Sequence, residues 1–204
     1  MADGTTRTLR RPGGTAAIRI ESEAGKIGLN AAPPELLRAL FLRLGLGDRQ
    51  AGSLAAAILD WRSPGQRARI RGAKEPEYRA AGRTWAPPLS AFRSLDELGL
   101  VLGMTPKLLA RARPNLSLHA GREPDLRVAD PQVVQTVMDI AGPQRAAFLE
   151  AVASRDEAEV VLVTVRAATD GPRAACFTRR AEISLRSGAA GRAWRILGWE
   201  APED

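Results

Sequence analysis

The chain has 204 residues, a formal net charge of +7 and a sequence pI of about 10.8, which allows one large domain or two small ones. A single cysteine, Cys176, excludes an intramolecular disulfide. The sequence contains no run of ~18 apolar residues, so it predicts no membrane-spanning helix. The positive charge favours an anionic partner, such as nucleic acid or a membrane surface. A general preference for Arg, Ala and Gly along the whole chain also explains this charge.

The first ordered element is predicted after a flexible start. Residues 1–14 lack the apolar core of a signal peptide, and we expect them to be irregular. Residues 15–22, TAAIRIES, alternate apolar and polar side chains. This period of two is typical of a half-buried strand.

Two helices are predicted next. Residues 33–44 begin with two prolines, which the first turn of a helix tolerates, and continue with one apolar stripe. Gly45 and Gly47 end this helix. A second helix is expected from Asp48, which has the side chain of an N-cap, to Trp61.

The segment 62–91 has little periodicity and is rich in Arg, Gly and Pro, so we predict a long surface loop with at most short helical pieces. Seven basic and two acidic residues lie between Arg62 and Arg83, which gives this loop a local charge of about +5. Loops of this length are usually functional or mobile.

Helical patterns return after this loop. Ser94 and Glu97 form a capping-box pattern ahead of an apolar stripe. Thr105 is the predicted cap of a further short helix, with proline at its first position. Residues 143–158 are predicted to form the last helix of this region.

The C-terminal segment predicts strands instead of helices. Residues 159–169 are rich in β-branched side chains, residues 176–187 alternate, and residues 193–200 complete an antiparallel meander. The early strand 15–22 must join this sheet, because its apolar face has no other partner. The predicted fold class is therefore α+β, a small antiparallel sheet whose first strand is separated from the others by a large helical insertion.

No pattern for catalysis or metal binding is found. The one histidine, His119, has no second histidine or cysteine partner, and Cys176 is interpreted as a small buried apolar residue. The glycine-rich phosphate loops and the G-x-S-x-G motif are missing. We predict no enzyme, and no catalytic, cofactor-binding or metal-binding residues.

One motif resembles a helix-hairpin-helix. Gly45 and Gly47 flank one apolar residue between the two predicted helices. In DNA-binding versions of this hairpin, backbone amides hold a phosphate, whereas in structural versions the same amides cap the helices. The alternative function is therefore nucleic-acid binding, although Asp48 places a carboxylate where a phosphate would approach.

Five sequence blocks follow one another across residues 21–121: ESEAGKIGLNAAPPELL, AILDWR, EYRAAG, SLDELGLVLGMTP and RARPNLSLHAG. Their order and spacing resemble the general secretion pathway protein K family, the minor pseudopilins of type II secretion systems. The C-terminal segments FTRRAEISLR and WRILGWE are also similar to that family.

The resemblance implies a pilin-like sheet with an inserted helical domain of the helix-hairpin-helix or SAM-like type. The expected division is a flexible start at 1–14, a sheet subdomain at 15–22 plus 157–202, and an inserted domain at 24–156. Members of the family are expected at the tip of the periplasmic pseudopilus, with other minor pseudopilins and possible secreted substrates as partners. The hairpin would then be structural, and no nucleic acid is expected as a partner.

Two departures from the family pattern affect the expected location and cofactors. Family members begin with a prepilin leader and a long hydrophobic helix, which this sequence does not contain. We therefore expect the chain as given to be soluble at the periplasmic face of the inner membrane, and to contact the membrane only through such a helix.

The second departure concerns calcium, which some family members bind in an acidic loop. Here non-acidic residues stand where acids are expected, and nearby arginines add repulsion, so we predict no calcium and no cofactor. The non-acidic residues are Ser63, Gly65, Gln66 and Lys74, and the arginines are Arg67, Arg69 and Arg71.

Overall fold

The computed structural model describes residues 3–64, 72–152, 160–171, 175–185 and 194–201. Helices and antiparallel strands occur together, which confirms the predicted α+β class. In chain order the elements are β1 (Asp3–Arg11), β2 (Gly14–Ser22), β3 (Ile27–Gly28), α1 (Pro34–Arg43), α2 (Asp48–Arg62), α3 (Glu75–Ala80), α4 (Pro106–Ala112), β4 (Leu116–Ser117), α5 (Pro131–Val152), β5 (Val160–Thr169), β6 (Cys176–Ser184) and β7 (Arg195–Glu200).

The chain divides into two compact units. One comprises Met1–Ala24 and Ser154–Asp204, and the other comprises Gly25–Ala153. The first unit contains a five-stranded antiparallel sheet in the order β1-β2-β5-β6-β7. The helices α1 to α5 and the short parallel pair β3–β4 belong to the second unit.

The early strand joins the C-terminal strands, as predicted. β2 pairs with β5 along its whole length, from Gly14 opposite Thr169 to Ser22 opposite Val161. Two segments separated by more than a hundred residues therefore form neighbouring strands. This confirms the predicted split sheet.

The prediction of a flexible start is wrong. Residues Asp3–Arg11 form β1, which pairs with β2 through a two-residue turn at Pro12 and Gly13. β1 is an edge strand and most of its side chains are exposed, so it lacks the apolar alternation that reveals a half-buried strand. The sequence signal for β1 was the Pro-Gly pair at residues 12 and 13, which is typical of a turn between two strands.

Most helices begin and end near the predicted residues. The N-cap of α2 is Gly47, and Asp48 is the first helical residue. Thr105 caps α4 as expected, because its hydroxyl accepts the N–H of Leu108 at 3.2 Å. The predicted stripe after Ser94 forms only the 3₁₀ turn Asp96–Leu100.

The last helical segment begins where it is predicted, directly after Gly142. α5 is assigned from Pro131 to Val152, but Gly142 has non-helical backbone angles, φ 72° and ψ 165°, and separates two helical stretches. The predicted end of this region at residues 153–158 lies outside the described residues.

The helical unit has an aliphatic core with a small aromatic cluster at one side. Burying each large aliphatic side chain contributes about 1.5–3 kcal/mol before the entropy cost. The Trp61 ring stacks on the Phe92 ring with centroids 5.7 Å apart. The Tyr78 ring is tilted against the Trp61 ring, with centroids 6.2 Å apart. The fully buried aliphatic side chains include Ile27, Leu29, Leu37, Leu40, Leu54, Ile58, Leu98, Leu116 and Val133.

The prediction of a surface loop at 62–91 is partly wrong. Ala73, Lys74 and Tyr78 are buried, whereas the six-residue helix α3 is a short helical piece of the kind predicted. The phenol of Tyr78 accepts the N–H of Leu102 at 3.1 Å, which satisfies its polar end within the fold. Local periodicity did not reveal this because the partners lie on distant segments.

The short strands β3 and β4, which lie near the two ends of residues 21–121, approach each other closely through their backbones. β3 pairs with β4 in parallel, and the Leu29 N–H donates to the Ser117 carbonyl at 2.8 Å. A Cβ atom at Gly28 would lie 2.3 Å from the carbonyl oxygen of Ala120. Only glycine therefore permits this pairing.

Candidate assembly surface

One face of the five-stranded sheet is apolar across four strands. Cross-strand partners lie on the same face of a sheet. One such row runs through Ile20, Val163, Ala181 and Trp199. All four members are apolar. Ile20 belongs to the strand before the helical insertion, and the other three residues follow the insertion.

The neighbouring rows are mostly apolar, with Ser22 and Arg179 as the polar members. Ser22, Val161, Ile183 and Ile196 face each other on one side of the first row. On the other side, Ile18 lies opposite Val165 and Val165 opposite Arg179. We call this side of the sheet the apolar face.

A groove of about 480 Å³ lies on the apolar face. Trp199 is 63% exposed, Trp194 53% and Ile196 46%. Contiguous apolar surface of this kind marks an interaction site on a folded protein. The described residues that line it are Ile20, Val161, Val163, Val165, Arg179, Arg180, Ala181, Ile183, Leu185, Trp194, Ile196 and Trp199. Arg180 is the exception among them, because its strand register belongs to the opposite side of the sheet.

The opposite side of the sheet is polar. Thr164 lies opposite Arg19 on one neighbouring strand and opposite Arg180 on the other, and Arg180 in turn lies opposite Glu200. The Arg19 guanidinium pairs with Glu21 on the same strand at 2.8 Å. The sheet therefore has two sides of different chemistry, and its apolar side is the candidate functional surface. The sequence patterns predicted no residue of this surface as a site.

The helix-hairpin-helix motif is present, and two of its backbone amides donate within the chain. Gly45 has φ +92°, a conformation that residues with a Cβ rarely adopt. The N–H groups of Gly45 and Leu46 donate to Leu42 and Phe41 at 2.9 and 3.0 Å. This is the Schellman arrangement that ends a helix, so these two amides do not serve a phosphate.

The hairpin is further closed by a basic side chain. Arg111 donates to the Leu44 carbonyl at 2.6 Å. Arg38 pairs with Asp48 at the start of α2. Both guanidinium groups are thus engaged within the chain, which agrees with a structural hairpin.

The basic segment between Arg62 and Arg83 is also engaged internally where the structure describes it. Residues 65–71, with three of its arginines, lie outside the described part. The remaining contacts are Arg62 to the Leu29 and Ala32 carbonyls, Lys74 to the Asp60 and Ser63 carbonyls, Arg79 to Glu75, and Arg83 over the Trp85 ring.

The loop in which the family resemblance implied calcium ligands contains the ammonium group of Lys74. Lys74 Nζ lies 2.7 Å from the Asp60 carbonyl oxygen and 3.2 Å from that of Ser63. Among the described residues, no three His, Cys, Asp or Glu side chains gather in one place. This donor set, with a cation already among the oxygens, does not fit calcium.

His119 and Cys176 lie in different units of the fold. His119 is exposed, and its backbone N–H donates to the Ser117 hydroxyl at 2.9 Å. Cys176 is exposed as well, which corrects the prediction that it is buried. It is the first residue of β6, and Arg166 Nε donates to its sulfur at 3.4 Å.

Within the described ranges, no helix has both the length and the apolar character required to cross a bilayer.

Comparison with known proteins agrees with this architecture. The chain is similar to a chain of the GspK-GspI-GspJ complex of the type II secretion system from enterotoxigenic Escherichia coli, with a TM-score of 0.75 and 16% sequence identity. The match covers 98% of this chain and 84% of that chain. At this identity the likeness establishes the fold, which is the pilin-like sheet with a helical insertion.

No curated protein sequence matches this chain. The sequence profile described as type II secretion system, protein K, matches residues 20–121. That range is half of the chain, and it contains the hairpin, the aromatic cluster and the paired strands β3 and β4. The chain therefore belongs to the type II secretion system protein K family.

Proposed function

We propose that this chain is a structural minor pseudopilin at the tip of the type II secretion pseudopilus, where it supports pseudopilus assembly and protein export. Family membership assigns it to the secretion system. The observation that carries the proposal is the pairing of β2 with β5 across the helical unit, because it builds one sheet with one apolar face. Its role is assembly, and it needs no catalytic residues.

The partners we propose are the other minor pseudopilins of the tip complex. The similar solved chain was crystallised in a GspK-GspI-GspJ complex, and a complex of the corresponding kind is proposed here. Nucleic acid is not among the proposed partners, because two hairpin amides that would hold a phosphate donate to Leu42 and Phe41.

We propose that the apolar face receives an apolar helix of the kind with which family members begin. A helix is about 10 Å wide, and it would lie across rows of aliphatic and Trp side chains on β2, β5, β6 and β7. Burial of each large side chain adds about 1.5–3 kcal/mol. The covered sheet would then form the body that meets other pseudopilins.

The proposed location is the periplasmic face of the bacterial inner membrane. Membrane contact is proposed only through such an N-terminal helix. We further propose that the protein works without calcium or another cofactor, which the Lys74 contacts support.

Co-purification with the cognate minor pseudopilins tests this function. The chain is produced with a family-type apolar helix in front of Met1, as wild type, as Trp199→Arg and as Glu200→Arg. The two positions are adjacent on β7 and both exposed, but they lie on opposite sides of the sheet. Glu200→Arg changes the charge more, so it controls for charge.

We expect the wild type and Glu200→Arg to co-purify with the partners and Trp199→Arg to lose roughly tenfold or more in affinity. Circular dichroism verifies that each variant is folded. Failure of the folded wild type to bind any minor pseudopilin would refute the assembly role. Equal binding by Trp199→Arg and the wild type would exclude the apolar face from assembly.

A further inference from the structure

We propose that the Lys74 ammonium is the resident cation of an oxygen-lined site at the C-terminal end of α2, where it does the structural work of a bound metal ion. The site consists of the Asp60 and Ser63 carbonyls and the Asp60 carboxylate. This inference does not depend on partner binding or on the assembly role.

The end of α2 gathers oxygen atoms that need a donor. The last carbonyls of any helix lack intrahelical partners and carry its partial negative charge. α2 ends at Arg62, and the residue four positions after Asp60 is Pro64, which has no N–H to donate. The Asp60 carbonyl therefore requires a donor from elsewhere in the chain.

Lys74 supplies this donor from a buried position. Its side chain is 6% exposed, and the Asp60 side chain is 0% exposed. The ammonium lies 2.7 Å from the Asp60 carbonyl, 3.2 Å from the Ser63 carbonyl and 3.9 Å from the Asp60 carboxylate. The ammonium donates hydrogen bonds to the two carbonyls. The Asp60 carboxylate at 3.9 Å is an ion-pair partner, and its opposite charge offsets part of the burial cost.

The backbone of Lys74 is held as firmly as its side chain. Its N–H donates to the Glu77 carboxylate at 2.8 Å, and its carbonyl accepts the Tyr78 N–H at 3.1 Å. The ammonium thus links the end of α2 to the start of α3. The Lys74–Asp60 contact therefore joins two positions that are 14 residues apart in the chain.

Oxygen ligands of this type are those that hard cations prefer. The positive charge of Lys74 excludes a second cation from the same place. Replacement of the ammonium by a carboxylate would combine two carboxylates with two carbonyls. Such a set should bind calcium. In the Lys74→Asp variant, a calcium ion from solution should therefore take the place of the lysine ammonium.

Thermal unfolding in EDTA and in millimolar calcium chloride tests the inference. The variants are Lys74→Met, which keeps length and removes charge, and Lys74→Asp, which also adds a ligand. The matched controls are Lys107→Met and Lys107→Asp, because Lys107 is exposed at the start of α4.

We expect the wild-type Tm to be the same in both solutions. Lys74→Met should lower the Tm by roughly 5 °C or more, and Lys107→Met should change it by much less. Lys74→Asp should be the least stable variant in EDTA and should gain several degrees in calcium, whereas Lys107→Asp should not respond.

Three results would overturn the inference. One is a calcium-induced rise in the wild-type Tm, and another is a Lys74→Met variant as stable as Lys107→Met. The third is a folded Lys74→Asp variant that does not respond to calcium. If Lys74→Asp does not fold in either solution, the comparison of the two Met variants decides the question.

Discussion

The side-chain amide of Asn30 bonds twice to the backbone of Phe92, 62 residues further along the chain. Its nitrogen donates to the Phe92 carbonyl at 3.0 Å, and its oxygen accepts the Phe92 N–H at 2.8 Å. Phe92 stacks on Trp61, so this pair of bonds holds the aromatic cluster against the segment that precedes α1. The polar residue ahead of the two prolines is therefore a structural clamp.

Replacement of this clamp should destabilise the helical unit. Asn30→Ala leaves both backbone groups of Phe92 without their partner, which costs about 1–3 kcal/mol. Urea unfolding followed by circular dichroism measures the loss. Gln135→Ala is the control, because Gln135 is exposed on α5. An Asn30→Ala variant as stable as this control would show that the clamp is dispensable.

The two glycines of the hairpin should differ in their tolerance of alanine. Gly45 has φ +92°, whereas Gly47 has φ −67°, and a Cβ atom at Gly47 would meet nothing closer than the Gln50 side-chain oxygen at 3.8 Å. Gly45→Ala should cost about 1–2 kcal/mol, and Gly47→Ala less than about 1 kcal/mol. Urea denaturation midpoints compare the two. Equal losses would contradict the assigned helix-end geometry.

Tyr78 should make the fold sensitive to alkaline pH. Burial raises the pKa of Tyr78 above 10.0, and the Asp60 carboxylate raises it further, while the bond from Leu102 and the charge of Arg83 lower it. The folded state therefore keeps the neutral phenol after unfolded tyrosine has ionised. The stabilising effect is complete below pH 10 and is lost as pH rises through the folded pKa.

The test compares urea unfolding of wild type and Tyr78→Phe between about pH 8 and pH 11. Tyr78 is the only tyrosine in the sequence, so the difference between the two proteins isolates its ionisation. We expect the wild type to lose stability above pH 10 more steeply than Tyr78→Phe. Parallel pH profiles would exclude Tyr78 as a source of the alkaline sensitivity.

Asp125 should show the opposite dependence. Arg127 donates to both carboxylate oxygens, at 3.0 and 2.7 Å, and this side-chain hydrogen bonding holds the pKa of Asp125 below 3.8. The resulting stabilisation is present above pH 3.8 and is lost as pH falls through the folded pKa. In an NMR titration, Arg127→Ala should raise the pKa of Asp125, and an unchanged pKa would contradict this assignment.

Local sequence patterns were sufficient for several parts of this fold. The alternation at 15–22 and the apolar stripe of α1 report which face of a strand or helix is buried. The cap at Thr105 depends only on neighbouring residues, and these elements appear where they are predicted. The sequence also predicted that the early strand joins the C-terminal strands, and this pairing aligns its apolar face with theirs.

The candidate surface was only partly predictable. Alternation on β6 indicates which side chains share a face, but a one-residue shift in register would reverse it. The row from Ile20 to Trp199 exists only because four strands from both ends of the chain align in register. The order of residues along the chain does not directly specify this register between the four strands.

Neighbouring residues and apolar patterns were enough to indicate the α+β class, most helix ends and one sheet built across an insertion. The folded chain was needed to show that β1 is an ordered edge strand, that Lys74 is buried, and that Asn30 holds Phe92. Polar groups such as these are stabilised by partners far away in the chain, and local periodicity carries no information about such partners.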